Sequence, residues 1–189
     1  KPQEVRDKFD NVLPVNWHLI GHLQTNKVKY VIDRCCMIHS VDSIKLMQEI
    51  ERLAEAHDCH MDILIQVNIS GEESKSGISP DELPTLLKYA ENLNHTHVKG
   101  LMTIAPKTEF GDVSEHFRNM KKLFDKYNIE IDSIHAPFNK LNCIWEEDNH
   151  DGDAYIERLK KCIDDVSAIQ VPYVVVHPIC GDGFPLSNK

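Results

Sequence analysis

Short apolar runs alternate with amphipathic stretches along most of this chain, and no hairpin dipeptide joins one run to the next. That alternation is the strongest constraint on the fold. Strands separated by helices pair in parallel, because each helix serves as a crossover that packs back on the sheet. Six such units are expected, with strands at 17–20, 37–41, 63–67, 98–104, 129–134 and 171–176.

The clearest unit is 62–78, DILIQVNISGEESKSGI. Ile63, Leu64, Ile65 and Val67 form a β-branched run too short for a helix of its own. The polar residues from Gln66 to Gly77 then fall at the C-terminal end of the strand, where parallel α/β proteins place their ligand sites. The other exits are polar too: Gly21 to Lys27, Ala105-Pro106, His135 to Asn139 and His177-Pro178.

The intervening helices show a 3.6-residue period. A helix tail is expected at 2–10. The helix at 42–57 places Ile44, Met47, Ile50 and Leu53 on one face, with Ser40 or Asp42 as its cap. The next starts at Ser79-Pro80 and buries Leu83, Leu86, Leu87 and Ala90. Val113, Phe117, Met120, Leu123 and Phe124 line another, and the helix at 154–169 turns Ile156, Leu159, Cys162, Ile163 and Val166 inward. No strand leads into GxGxxG or GxxxxGK[ST], which removes the usual dinucleotide and phosphate-loop open sheets. The expected class is α/β, a TIM-barrel-like (β/α) parallel sheet in a single α/β domain over 1–189. Six visible units are two short of closure, so the barrel reads as incomplete or recombined.

A formal net charge of −9 argues against a phosphate-tracking surface, so no nucleic-acid partner is expected. No apolar run reaches the roughly 20 residues of a membrane span. The 6 cysteines lack CxxC spacing and read as free thiols of a reducing cytosol. His95 and His97 precede the fourth strand at its N-terminal side, the stability face of a barrel, and are discounted as ligands.

The segments WHLIGHLQTNKVKYVI, IHSVDS, QVNISGEESKSGI and GLMTIAP, in that order and spacing, resemble the pyridoxal-phosphate homeostasis protein family, barrels related to the N-terminal domain of alanine racemase. The resemblance covers 1–127. It implies a non-catalytic cofactor carrier and regulator, with His22, Asn68 and Met102 at strand exits facing pyridoxal 5'-phosphate. The family's Schiff-base lysine strand would lie upstream of Lys1, and its late phosphate contacts are not found after Tyr127, so the resemblance implies impaired binding. Neither Lys27 nor Lys75 inherits the covalent role.

Residues 128–189, with IEIDSIHAPFNKLN and YIERLKKCIDDVSAIQVPYVVVHP, resemble the xylose-isomerase-like sugar-phosphate isomerases and epimerases. On that resemblance His135 and His177 would hold a divalent metal such as Zn or Mn. The change of resemblance near 125–128 suggests a chimera or a spliced fragment. A third expectation is an inactive barrel completed by a second copy of the chain, since open sheet edges invite pairing.

Overall fold

The computed structural model describes residues 2–71, 76–104, 114–129, 131, 133–135 and 150–175. The chain divides into two compact units, Lys1–Ile129 and Glu130–Lys189.

In the first unit, helix α1 (Pro2–Lys8) runs into a 3-10 turn at Phe9–Asn11. Strand β1 (Trp17–Leu19) is followed by a 3-10 helix at Thr25–Tyr30 and then β2 (Cys35–Val41). After them come α2 (Ile44–Ala56), β3 (Met61–Gln66), α3 (Leu83–Ala90), β4 (Thr96–Met102) and α4 (Ser114–Lys126). The four strands form one sheet in the order β1-β2-β3-β4, every neighbour parallel. Each helical crossover therefore adds a strand beside the previous one, as the alternation requires.

The register sorts the side chains into two faces. Leu19, Ile38, Ile63 and Val98 align across the sheet, and Ile38 and Ile63 have no exposed surface. With Met61 and Ile65 of β3 they meet Leu46, Met47, Ile50 and Ala54 of α2 and Leu83 and Leu86 of α3 in one core. Burying each large aliphatic side chain contributes about 1.5–3 kcal/mol, so this face holds the unit together. The adjacent row, His18, Met37, Asp62 and His97, lies on the other face and is half-buried or exposed.

The second unit contains β5 (Ser133–His135), α5 (His150–Ala168) and β6 (Tyr173–Val175). Its two strands pair in parallel, Ser133 with Tyr173, Ile134 with Val174 and His135 with Val175. Cys162 and Val166 of α5 are buried as the periodicity predicts, but Ile163 is 45% exposed.

Helices α2, α4 and α5 end in the same way. Asp58, Asn128 and Gln170 take positive φ just past the last turn. The next N–H then bonds back to a helical carbonyl: Cys59 to Ala54, Ile129 to Phe124, Val171 to Val166. This is the left-handed C-terminal closure usually given to glycine. Two helix starts differ from expectation. The cap of α2 is Ser43, whose hydroxyl accepts from the Leu46 N–H at 3.3 Å; Ser40 is turned to the backbone of Gly21 and Asp42 towards His22. Helix α3 starts at Leu83, with Pro84 in its first turn. Ser79 instead donates its N–H and its hydroxyl to the Glu82 carboxylate, at 2.8 and 2.9 Å, and closes the turn before the helix.

Candidate functional site

The exits of β1 to β4 lie side by side because the strands are parallel and in register. Leu19 aligns with Ile38, Val41 with Ile65, and Gln66 with Met102. His22, Asn68 and Met102 are thereby set at three exits of one sheet edge, as the sequence suggests.

At the first exit, His22 Nδ1 stands 3.7 Å from Asp42 Oδ2, an ion pair when the imidazole is protonated. The His22 side chain is 57% exposed, while Asp42 is mostly covered. The Ser40 hydroxyl ties the two exits together by donating to the Gly21 carbonyl at 2.8 Å.

At the third exit the polar atoms hold the loop in place. The Asn68 N–H donates to the Ile78 carbonyl at 2.8 Å and the Ile78 N–H to the Gln66 carbonyl at 2.9 Å, a parallel bridge between the two ends of the loop. The Gln66 carboxamide, nearly fully buried, donates to the Ser76 carbonyl at 3.2 Å. Asn68 Oδ1 accepts from the Ser70 hydroxyl at 2.9 Å and the Gly71 N–H at 3.1 Å. Asn68 thus folds its side chain into its own loop, an Asx turn, and its carbonyl oxygen already serves two donors. Gly77 makes the closure sterically feasible. Its φ is +118°, and a Cβ there would stand 2.8 Å from the Asn68 nitrogen and 3.0 Å from the Val67 carbonyl carbon.

At the fourth exit the Met102 carbonyl accepts from the Val67 N–H at 2.8 Å, so its backbone is part of the sheet and its side chain is half-buried. One residue further, Thr103 Oγ1 is buried and has no hydrogen-bond partner among the described residues. A buried hydroxyl without a partner costs about 1–3 kcal/mol. Sequence reasoning missed Thr103, because burial without a partner leaves no trace in a motif.

Two surface depressions, of about 380 and 250 Å³, lie nearby. One is lined by Ile69, Pro80 and Asn119 with Lys122, Leu123 and Lys126, the other by residues around the start of α2. Neither is lined by His22, Asn68 or Met102. His135 closes β5, and its strand register places it beside Val175; His177 lies outside the described residues, as do Lys75, Val113 and the loop carboxylates Glu146, Glu147 and Asp148. Among the described residues no three metal-ligating side chains are gathered around one point.

The sequence model of the family described as "Alanine racemase, N-terminal domain" matches residues 3–179. The pyridoxal phosphate homeostasis protein of Aquifex aeolicus is 40% identical over 136 residues, 68% of this chain and 60% of that protein. Its counterpart in Haemophilus influenzae is 37% identical over 126 residues, 64% of this chain and 53% of that one. The chain therefore spans little more than half the length of these relatives. Among solved structures, PipY of Synechococcus elongatus with pyridoxal phosphate bound superposes with a TM-score of 0.62 at 19% identity, over 93% of this chain and 76% of that one. Alanine racemase of Clostridium difficile in complex with cycloserine gives 0.54 at 9% identity, over 93% and 38%. These structural likenesses establish an alanine-racemase-type α/β barrel fold. The family match runs through residues 125–128 without interruption, and nothing among these relatives supports a xylose-isomerase-like segment or a chimera.

Proposed function

Because the chain belongs to the family of the alanine racemase N-terminal domain, we propose that it acts as a pyridoxal 5'-phosphate homeostasis-type barrel: it binds the cofactor and regulates its supply without turning over a substrate. The observation that carries this reading is the set of aligned exits of β1 to β4, with Thr103 Oγ1 buried and unpartnered at their edge.

The donor set fits one part of the cofactor. Met102 offers an apolar wall, the His22 imidazole and the Thr103 hydroxyl offer hydrogen bonds, and the bridged residues Asn68 and Ile78 bound the space. Asn68 acts by shaping that loop, since its carbonyl oxygen is already engaged. None of the described residues at these exits forms a phosphate cradle. Lys27 sits in the 3-10 helix over the ring of Tyr30 at 5.5 Å and is given no covalent role. When bound, the cofactor supplies an aldehyde that condenses with amines and a ring that withdraws electrons. His22, Met102 and Thr103 would hold that ring.

The described cysteines, Cys35, Cys36, Cys59 and Cys162, are free thiols, and no helix among the described residues is long and apolar enough to cross a membrane. We place the protein in a reducing cytosol, with a small-molecule ligand and with a second copy as its candidate partner.

The test is a titration of the purified chain with pyridoxal 5'-phosphate, followed by cofactor absorbance and by mass after borohydride reduction. Saturable binding that Thr103→Val weakens by about tenfold, the loss expected for one buried hydrogen bond of about 1.4 kcal/mol, supports the site. Equal affinity in the two proteins, or no saturable binding, rejects it. A mass gain fixed by borohydride would reveal a covalent lysine and overturn the non-covalent assignment.

A further inference from the structure

We propose that His60 and His97 form a two-histidine binding site for a borderline transition-metal ion, Zn²⁺, Cu²⁺ or Ni²⁺, at the end of the sheet opposite the cofactor edge. Two stretches rich in metal-ligating residues meet there: His57-Asp58-Cys59-His60 before β3 and His95-Thr96-His97 at the start of β4. Strand pairing brings them together. Met61 aligns with Thr96 and Asp62 with His97, and the Met61 N–H donates to the His95 carbonyl at 2.8 Å.

The distance decides the chemistry. His60 Nδ1 and His97 Nε2 face each other at 3.2 Å, with ring centroids 5.2 Å apart and planes inclined by 27°. Two metal–imidazole bonds of about 2.0–2.1 Å meeting at a tetrahedral angle span roughly 3.3 Å, so the spacing already matches a shared ion. His97 lies on β4 and His60 immediately precedes β3, whose backbone is bonded to the start of β4, so the two imidazoles are anchored next to each other. Without an ion, a hydrogen bond between the two nitrogens takes one proton, and the tautomer decides which of them donates. An ion takes that proton's place and engages both lone pairs.

The surroundings favour a cation. His95 lies nearly parallel to His60, at 18° and 5.5 Å, and its Nδ1 is 3.4 Å from Glu51 Oε1. The Glu51 carboxylate is anchored in turn by the N–H groups of Asn94 and His95, at 2.8 and 3.1 Å. Asp62 adds a second carboxylate on the aligned residue of β3, although Lys99 stands 3.6 Å from it. Cys59 is turned away, donating to the Ile32 carbonyl, and is not a ligand. Since no third ligand converges among the described residues, water fills the remaining positions, and imidazole ligands select borderline ions over Mg²⁺ or Ca²⁺.

The experiment uses the full chain without a histidine tag. A second imidazole pair, His18 and His39 at 2.8 Å, is removed by His18→Ala so that one hydrogen-bonded imidazole pair remains among the described residues. CuCl2 is titrated in by calorimetry, and the copper spectrum is read by electron paramagnetic resonance. One equivalent of saturable binding with a two-nitrogen coupling pattern is expected. His60→Asn and His97→Asn should each weaken it more than tenfold and leave a single-nitrogen pattern. Affinity unchanged in His60→Asn, or no saturable binding in the parent, overturns the proposal. His60 is exposed, so its variant keeps the fold and decides the matter even if His97→Asn does not. Pyridoxal phosphate binding is unaffected in either case, so this test and that of the cofactor edge fail independently.

Discussion

Strands β3 and β4 present two ends with opposite habits. At the exit end, most polar atoms go to the backbone: Gln66 to the Ser76 carbonyl, Asn68 Oδ1 to the Gly71 N–H, the Asn68 and Ile78 N–H groups to the Ile78 and Gln66 carbonyls, with the Ser70 hydroxyl as a side-chain partner of Asn68. At the starting end, side chains also meet side chains: His60 with His97, and His95 with a Glu51 carboxylate that the Asn94 and His95 N–H groups hold. The first arrangement fixes a shape and leaves one buried hydroxyl, Thr103, in want of a partner. The second leaves exposed imidazoles whose bonds can be exchanged for something else. Bridged strand and loop ends beside an unmet donor suit recognition of an organic ring. A loosely satisfied imidazole pair on a rigid platform suits an ion.

The largest effect on this contrast should come from Gly77→Ala. The new methyl would meet backbone atoms of residues 66 to 68 at 2.8–3.1 Å, in a φ region alanine rarely enters. Backbone strain of this kind costs about 2–3 kcal/mol. Chemical denaturation should show that loss. Hydrogen exchange should place it in the loop from Asn68 to Ile78, with the amides near His60 and His97 still protected. Protection lost equally at both ends would mean that the two ends are one cooperative unit, and the comparison would break.

Glu51→Gln addresses the other end. Burial pushes the Glu51 carboxyl up, but the combined bonds from the Asn94 N–H and from the N–H and ring of His95 help to outweigh it and hold the carboxyl below its ordinary 4.5. A carboxyl lowered by folding adds stability that is complete above the unfolded value and is lost as pH falls through the folded one. The variant should therefore be less stable by about 1 kcal/mol at neutral pH, a figure kept low because water shares these bonds. The deficit should close in acid, as pH falls below the ordinary 4.5 and through the lowered folded value, and a deficit independent of pH would remove the carboxylate from the account.

The sequence carried the order of these elements because it resides in local patterns. The apolar run of β3 and the stripe Met47, Ile50, Leu53 can be read from spacing alone, and both are buried. The edge bearing His22, Asn68 and Met102 followed from parallel pairing. What escaped depends on contacts between distant residues. The closure by Gln66, Ser76 and Gly77 needs the loop to return on its strand, and the orphaned Thr103 needs the core around it. His60 acquires meaning only once β3 and β4 are paired, which is why His95 and His97 looked inert beside it. Ile163 fails for a related reason: periodicity gives a stripe, but its width is set by what packs against it. The resemblance of 128–189 to another barrel family rested on short motifs at strand exits, which parallel α/β folds share widely.

The cap of α2 joins both themes and gives the smallest effect. Three hydroxyl or carboxylate residues, Ser40, Asp42 and Ser43, stand before the helix, and the backbone decides among them. Ser43 is extended, at φ −163° and ψ 152°, and its hydroxyl reaches the Leu46 N–H. Helix α2 begins at the exit end, beside Asp42, and further along carries Glu51 to the starting end. Ser43→Ala should cost about 1 kcal/mol by freeing the first turn. Fraying there should loosen the His22–Asp42 pair while Glu51 stays bonded to the residues before β4. Proton exchange of the α2 amides, read together with the imidazole resonances, separates the two effects. Loss confined to the first turn and to His22 keeps the ends distinct; a change reaching His95 would show that α2 transmits between them.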